Sequence, residues 1–265
     1  MSTSPVSSSG VAAPPSSAFG DAVIMLRRNV KHSVRNPVTV FNAILFPIIM
    51  MLMFVYVFGG AIRTGGDYLG YAVPGLVVMA VTYGLGPTAT EVNDDLTKGV
   101  INRFKTMDVS RGAVLTGHVV STTVRSLIAA VAIVGVGLAM GFRSSAGPLQ
   151  WLAALGVVLL LAFAAGWLTV AMGLAAKTPA GAGLGTVPLI MLPFLSSAIV
   201  PADTMKTGVK QFAEYQPFTP VIETLRDLLT GHHPSAGHLL AALAWCIGFG
   251  LLGYVWAVAT FSKRA

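Results

Sequence analysis

LQWLAALGVVLLLAFAAGWLTVAMGL, residues 149–174, carries no charged side chain from end to end. Wound as a helix at about 1.5 Å per residue it reaches roughly 39 Å, more than the roughly 30 Å of hydrocarbon in a bilayer. In a water-soluble domain, so long an apolar helix would need protein on every side. Further apolar stretches at 38–58, 69–89, 116–142, 183–200 and 239–261 have the same character. Only 10% of the 265 residues are charged and 54% are hydrophobic, against about a quarter charged in an ordinary soluble domain. The expected fold is an all-α membrane protein, one domain over 18–265 with six transmembrane helices.

The segments between the spans carry their own signals. Residues 1–17, rich in Ser, Pro and Ala, lack a basic n-region and an apolar core and are expected to form a disordered cytoplasmic tail. Over 18–35, Phe19, Val23, Leu26, Val30 and Val34 recur at helical spacing while Arg27, Arg28, Lys31 and Arg35 crowd the other positions. That pattern predicts an amphipathic helix on the membrane surface, ended by Asn36-Pro37. Pro74 and Pro87 in the second stretch imply packing against neighbours that satisfy the freed carbonyls. Pro188 and Pro193 predict a kink or break in the fifth. The 201–238 segment is too polar for a span. Within it Thr219 is expected to cap a helix that has Pro220 at its first position, Glu223 in its first turn and Gly231 as its stop. Val221, Ile222, Leu225, Leu228 and Leu229 share one face of that helix, opposite Glu223, Arg226 and Asp227. Such a helix reaches only about 18 Å and should dip into the membrane or lie along its outer surface.

Charge sets the expected orientation. With both termini cytoplasmic, the inner segments hold twelve Lys and Arg and the outer segments five. With acids counted, the inside is +7 and the outside neutral, in line with the accumulation of Lys and Arg on the cytoplasmic side.

No G-x-x-x-x-G-K-[ST] phosphate loop occurs, so ATP cannot be hydrolysed here by that route. None of the six stretches places Asp or Glu near its centre, where ion-coupled carriers keep carboxylates. Arg125 is the one charge well inside a span, open to snorkelling, helix pairing or substrate contact. His232, His233 and His238 lack a helical ligand pair or a Cys or carboxylate cluster, and no metal site is expected. Ser196-Ser197 has no G-x-S-x-G context, which leaves a membrane enzyme as the weakest class. Cys246 is the single cysteine, so no intramolecular disulfide forms.

Two segments carry a family likeness. The first, 91–125, reads EVNDDLTKGVINRFKTMDVSRGAVLTGHVVSTTVR: an acidic helix end, a Lys-Gly step, an Arg, a V-S-R turn and a Gly opening the next span. The second, 192–231, reads LPFLSSAIVPADTMKTGVKQFAEYQPFTPVIETLRDLLTG: Leu-Ser-Ser, a Pro beyond the apolar stretch, a short amphipathic helix, Pro-x-Thr-Pro and a helix bearing Arg226. Together they resemble the ABC-2 family of permeases, especially the branch linked to daunorubicin-type drug efflux. Gln216 stands where the family usually has Asn, and Met107-Asp108 replaces a commoner Thr/Leu-Pro.

The resemblance implies an exporter subunit with no catalytic site and no cofactor of its own. ATP and Mg would be bound by a partner ABC ATPase present in two copies, beside a second permease copy, identical or related; no nucleic-acid partner is expected. The cargo would be an amphiphilic drug, antibiotic or lipid-like compound leaving through the cell membrane. A lipid-linked glycan is an alternative cargo, and a carrier or channel without ATP a more distant alternative. ATPase coupling falls on Glu91, Asp94, Asp95, Gly99, Arg103, Phe104, Lys105, Met107, Ser110 and Arg111, helped by the surface helix with Arg27, Arg28, Lys31 and Arg35. Val100, Ile101, Phe104 and Met107 form an apolar stripe suited to a groove on a partner, or to the chain's own bundle or the headgroups. The re-entrant segment brings Ser196, Ser197, Pro201, Pro217, Thr219, Pro220, Glu223 and Arg226. Phe46, Met50, Tyr56, Tyr83 and Phe194 are soft or aromatic surfaces for a substrate path, with plain packing as the alternative.

Overall fold

Asp67 starts the first long helix: its carboxylate accepts from Leu69 N (3.1 Å) and Gly70 N (3.2 Å), satisfying two of the donors that a helix start leaves free. The computed structural model describes residues 45–60, 62, 67–98 and 111–264. The expected tail over 1–17, the surface helix with Arg27, Arg28, Lys31 and Arg35, and Gly99, Arg103, Phe104, Lys105, Met107 and Ser110 lie outside the described residues.

Helix α1 (Phe46–Met53) runs on as a π-helical turn, Phe54–Phe58. Helix α2 (Tyr68–Tyr83) contains Pro74 and bends at Gly84 into α3 (Leu85–Thr97). Pro87 costs little as the third residue of α3, because first-turn N–H groups have no intrahelical partner. The helix thus continues beyond residue 89, the expected end of the apolar span, to Thr97. Helix α4 (Arg111–Ala139) turns at Gly141, whose φ of 107° suits glycine, into α5 (Pro148–Ala175). At the start of α5, Gln150 accepts from Gly147 N and Pro148 takes the first position.

The fifth apolar stretch is interrupted, as its prolines predict. Helix α6 (Pro179–Gly185), capped by Thr178, gives way to α7 (Val187–Met191), a 3₁₀ turn (Leu192–Leu195) and bends through Val200. A 3₁₀ turn (Ala202–Thr204), α8 (Thr207–Tyr215), α9 (Phe218–Leu229) and α10 (Ala236–Arg264) complete the chain. Helix α9 corrects one expectation: it starts at Phe218 after Pro217, so Thr219 and Pro220 are its second and third residues and Thr219 is not the cap. Pro220 is tolerated there for the same reason as Pro87. The Thr219 hydroxyl instead accepts from Ser197 N (3.4 Å) and Gln216 Nε2 (3.5 Å). The predicted stop holds, with Gly231 at φ 80° just past the helix.

The described residues are helical and turn, without strands, and four helical stretches are long and apolar enough to cross a membrane: Tyr68–Thr97, Leu115–Ala139, Pro148–Ala175 and Ala236–Lys263. Phe46–Phe58 and Pro179–Leu195 are apolar but shorter. Helix α5 lies at the centre. Gly253 of α10 comes so close to it that an added Cβ would lie 2.4 Å from Leu168 N, and Gly173 approaches Ala89 O on α3 in the same way. Small residues that let backbones meet are the usual packing device of membrane helices. Val73, Leu76 and Val77 of α2, Ile133 of α4, Leu161 of α5 and Phe218, Ile222 and Leu225 of α9 share the larger core. Val92, Leu115, Val119, Trp167, Leu174 and Phe261 form a second core near the opposite end. Leu240, Ile247, Leu251, Leu252, Val255 and Val258 leave one side of α10 exposed and apolar, a surface suited to lipid.

Candidate functional site

The turns 141–147, 196–206 and 230–235 share one end of the bundle: Ser144 Oγ donates to Leu229 O, Ser145 Oγ to Thr230 O, and Gln150 Nε2 to His232 O. The break after α7 sits there as well. Ser196 Oγ donates to Pro193 O (2.5 Å) and accepts from Ala198 N (3.1 Å), closing the turn locally. The Ser197 carbonyl accepts from two side chains, Tyr71 Oη at 2.8 Å and Arg226 Nη2 at 2.7 Å.

Arg226 is the hub of this end. Its Nε donates to Tyr71 O (3.3 Å), its Nη1 pairs with Glu223 (2.5 Å), and its guanidinium lies 3.7 Å from the centre of the Tyr71 ring. One side chain on α9 thereby holds the start of α2 and the interrupted segment. Of the predicted re-entrant residues, Ser197, Thr219, Glu223 and Arg226 are joined directly; Pro217 and Pro220 shape the start of α9, and Pro201 precedes the 3₁₀ turn. A cavity of about 340 Å³ opens beside them, lined by Tyr71, Asp203, Glu214, Glu223, Arg226 and His238 among others. Burial raises the Asp227 carboxyl above its ordinary range, with Glu223 adding to the rise and His238 and His232 opposing it.

At the other end, α3 and α4 face each other through polar side chains. Arg125 makes a two-pronged contact with Glu91, Nη1 to Oε1 at 2.9 Å and Nη2 to Oε2 at 3.1 Å, and also reaches Thr88 Oγ at 2.6 Å. Thr88 and Thr122 hydroxyls meet at 2.8 Å, and His118 Nε2 lies 3.3 Å from Asp95. Asn93 points toward α5 and donates to Gly173 O and Ala176 O, taking up two of its terminal carbonyls. Asp94 instead pairs on the surface with Lys98 at 2.6 Å. Thus, among the predicted coupling residues, Glu91 and Asp95 turn inward to α4 and Asp94 outward; of Arg111 only its place at the start of α4 is described. Sequence reasoning gave Thr88, His118 and Thr122 no role and left Arg125 open to snorkelling, helix pairing or substrate contact, of which the bond to Glu91 is helix pairing. Their signal is present: 88, 91 and 95 on one helix and 118, 122 and 125 on the other follow the i, i+3/i+4, i+7 spacing of a single face.

Four of the five path residues come together. Phe46 stacks on Tyr83 with ring centres 4.3 Å apart, and Phe46, Met50, Leu76, Met79, Tyr83 and Phe194 line a narrow crevice with room for only about 10 Å³. Tyr56 stands apart, 73% exposed. No three His, Cys, Asp or Glu side chains converge among the described residues.

The family model described as ABC-2 type transporter matches residues 21–230, more than half of the chain and both of the segments around these two ends. The chain belongs to the ABC-2 type transporter family. Within that group, it is 32% identical over 218 residues to the daunorubicin resistance ABC transporter permease protein DrrB1 of Streptomyces coeruleorubidus, covering 82% of this chain and 76% of that protein. It is 26% identical over 231 residues to the probable doxorubicin resistance ABC transporter permease protein DrrC of Mycobacterium tuberculosis, covering 85% of this chain and 82% of the relative. This ABC-2 chain is a multi-pass membrane protein of a transport, not a catalytic, family.

Proposed function

We propose that this chain is the membrane-embedded permease subunit of an ATP-driven exporter that moves an amphiphilic drug or antibiotic out of the cell. The family match across 21–230, with drug-resistance permeases similar over most of their length, is the observation that carries this reading. The chain has no phosphate loop, so the energy comes from a separate ABC ATPase that binds ATP and Mg. Two ATPase copies and two permease copies make the working complex, set in the cell membrane with both termini cytoplasmic. On this reading α1 and the α6–α7 stretch complete six passages, the broken one being supported by neighbours rather than by its own length.

The end of the bundle formed by α3 and α4 faces the cytoplasm, where residues 99–111 receive the ATPase, with Phe104 and Met107 as apolar contacts. The Arg226 end faces outward. Cargo passes the Phe46, Met50, Tyr83 and Phe194 crevice, which must widen from its present 10 Å³; the Phe46–Tyr83 stack is the contact that opens.

Reconstitution with a candidate partner ABC ATPase tests the proposal. Vesicles holding both proteins should accumulate a fluorescent anthracycline only with ATP and Mg, and the Phe104→Asp/Met107→Asp variant should hydrolyse ATP without accumulation. Accumulation without nucleotide, driven by an ion gradient, would replace the proposal with a carrier.

A further inference from the structure

We infer that the polar seam between α3 and α4 is a positioning device: it makes the two helices move as one body when force arrives through the segment that joins them. This inference rests on the ATPase-driven reading above and adds to it a role for Thr88, Glu91, Asp95, His118, Thr122 and Arg125.

The geometry is that of a bolt with a fixed register. Three side chains spaced by about one turn on α3 meet three on α4, which runs the opposite way, so that Thr88 and Glu91 face Arg125, Thr88 also faces Thr122, and Asp95 faces His118. The Glu91 carboxylate receives both Arg125 prongs, an arrangement that fixes direction as well as distance. The Arg125 side chain is only 10% exposed and that of Glu91 25%. A slide of one helix past the other by a turn would part the two charges, and separating such a pair within a membrane bundle is expensive. Apolar contacts impose no such register. Toward the other end Gly137 of α4 lies against Val73 of α2.

Location gives the seam its purpose. Residues 99–110 lie between α3 and α4 in the chain, so a push on them is delivered to both helices at once. If the helices splayed apart, the push would be spent at that end; locked together, they pass it to the bundle. Through α3 the lock extends to α5, since Asn93 on the neighbouring face holds the last carbonyls of that helix.

The test uses the complex with its ATPase in vesicles, reading ATP turnover and efflux in the same sample. Glu91→Gln and Arg125→Gln should each lower efflux per ATP by about 2- to 30-fold, the range in which residues along a coupling route act. The reversed pair Glu91→Arg/Arg125→Glu should recover the ratio, which a loss of folding would not do. Unchanged efflux per ATP in both single variants would overturn the inference.

A second arm does not depend on those variants folding. With Cys246→Ala, the pair Thr88→Cys/Thr122→Cys places two thiols where hydroxyls approach to 2.8 Å. Oxidised and reduced samples of that protein should show equal efflux per ATP if the helices stay together. Efflux lost on oxidation and regained on reduction, or a pair that will not bridge at all, would overturn the seam. Absence of ATP-dependent efflux from the wild-type complex is a different result, and it would remove the underlying reading together with the seam.

Discussion

Replacing Arg226 with alanine deletes contacts to three elements at once. The Ser197 carbonyl loses its 2.7 Å donor, the Tyr71 carbonyl loses its 3.3 Å donor, the Tyr71 ring loses the overlying cation, and Glu223 is left without its 2.5 Å partner. The Arg226 and Glu223 side chains are 12% and 23% exposed, so water compensates only part of the loss. Breaking a largely buried pair from one side costs about 3–5 kcal/mol, chiefly because a charge is stranded. If roughly 2–4 °C of melting temperature goes with each kcal/mol in a chain of this size, Arg226→Ala should melt about 6–20 °C below wild type. Arg226→Lys keeps the charge but not the planar fork and should fall between them. Adding Glu223→Gln to Arg226→Ala should recover part of the loss, since the stranded charge is then gone. Thermal unfolding of the purified protein, followed by tryptophan fluorescence, reads all four forms. Coincident melting of wild type and Arg226→Ala would refute the assignment of Arg226 as the tie among α2, α9 and the broken stretch, whatever happened to transport.

Gly253→Ala places a methyl group 2.4 Å from Leu168 N and should destabilise the α5–α10 contact by about 1–3 kcal/mol, whereas Gly248→Ala, in open space on the same helix, should be neutral; melting temperatures separate them. Asn93→Leu deprives Gly173 O and Ala176 O of their donor and should cost about 1–3 kcal/mol, visible as faster amide exchange at the end of α5. The Asp227 carboxyl is raised in the folded protein, so the fold binds its proton more tightly than the unfolded chain does; its contribution is most favourable below the ordinary carboxylate pKa and is lost as pH rises through the raised value. Asp227→Asn should therefore gain stability relative to wild type at neutral pH and lose that advantage in acid, measured as melting temperature against pH.

The long apolar stretches are readable because each satisfies all its backbone groups internally, so composition and length suffice to find them. Pro188 and Pro193 announced the break for an equally local reason, as did Gly231 for the end of α9. Thr219 misled because capping is decided by where Pro217 lets the chain turn and by the distant Ser197 N–H that claims its hydroxyl. The partners of Arg125 and Arg226 are separated from them by 34 and 155 positions for Glu91 and Tyr71 respectively. A sequence shows that such an arginine needs company, while the identity of the companion depends on how antiparallel helices come into register.

The interruption after α7 has a consequence for how the chain is made. Its carbonyl at Ser197 and its N–H at the same residue are satisfied by Tyr71, Arg226 and Thr219, two of which are synthesised after it. Until α9 has emerged from the ribosome, this stretch lacks the donors and acceptors that make it tolerable in lipid. On the six-passage reading proposed above, the 179–231 region should then be integrated as a single late step, with α9 pulled against an already inserted α2, and truncations ending between 200 and 217 should leave the fifth stretch outside the bilayer.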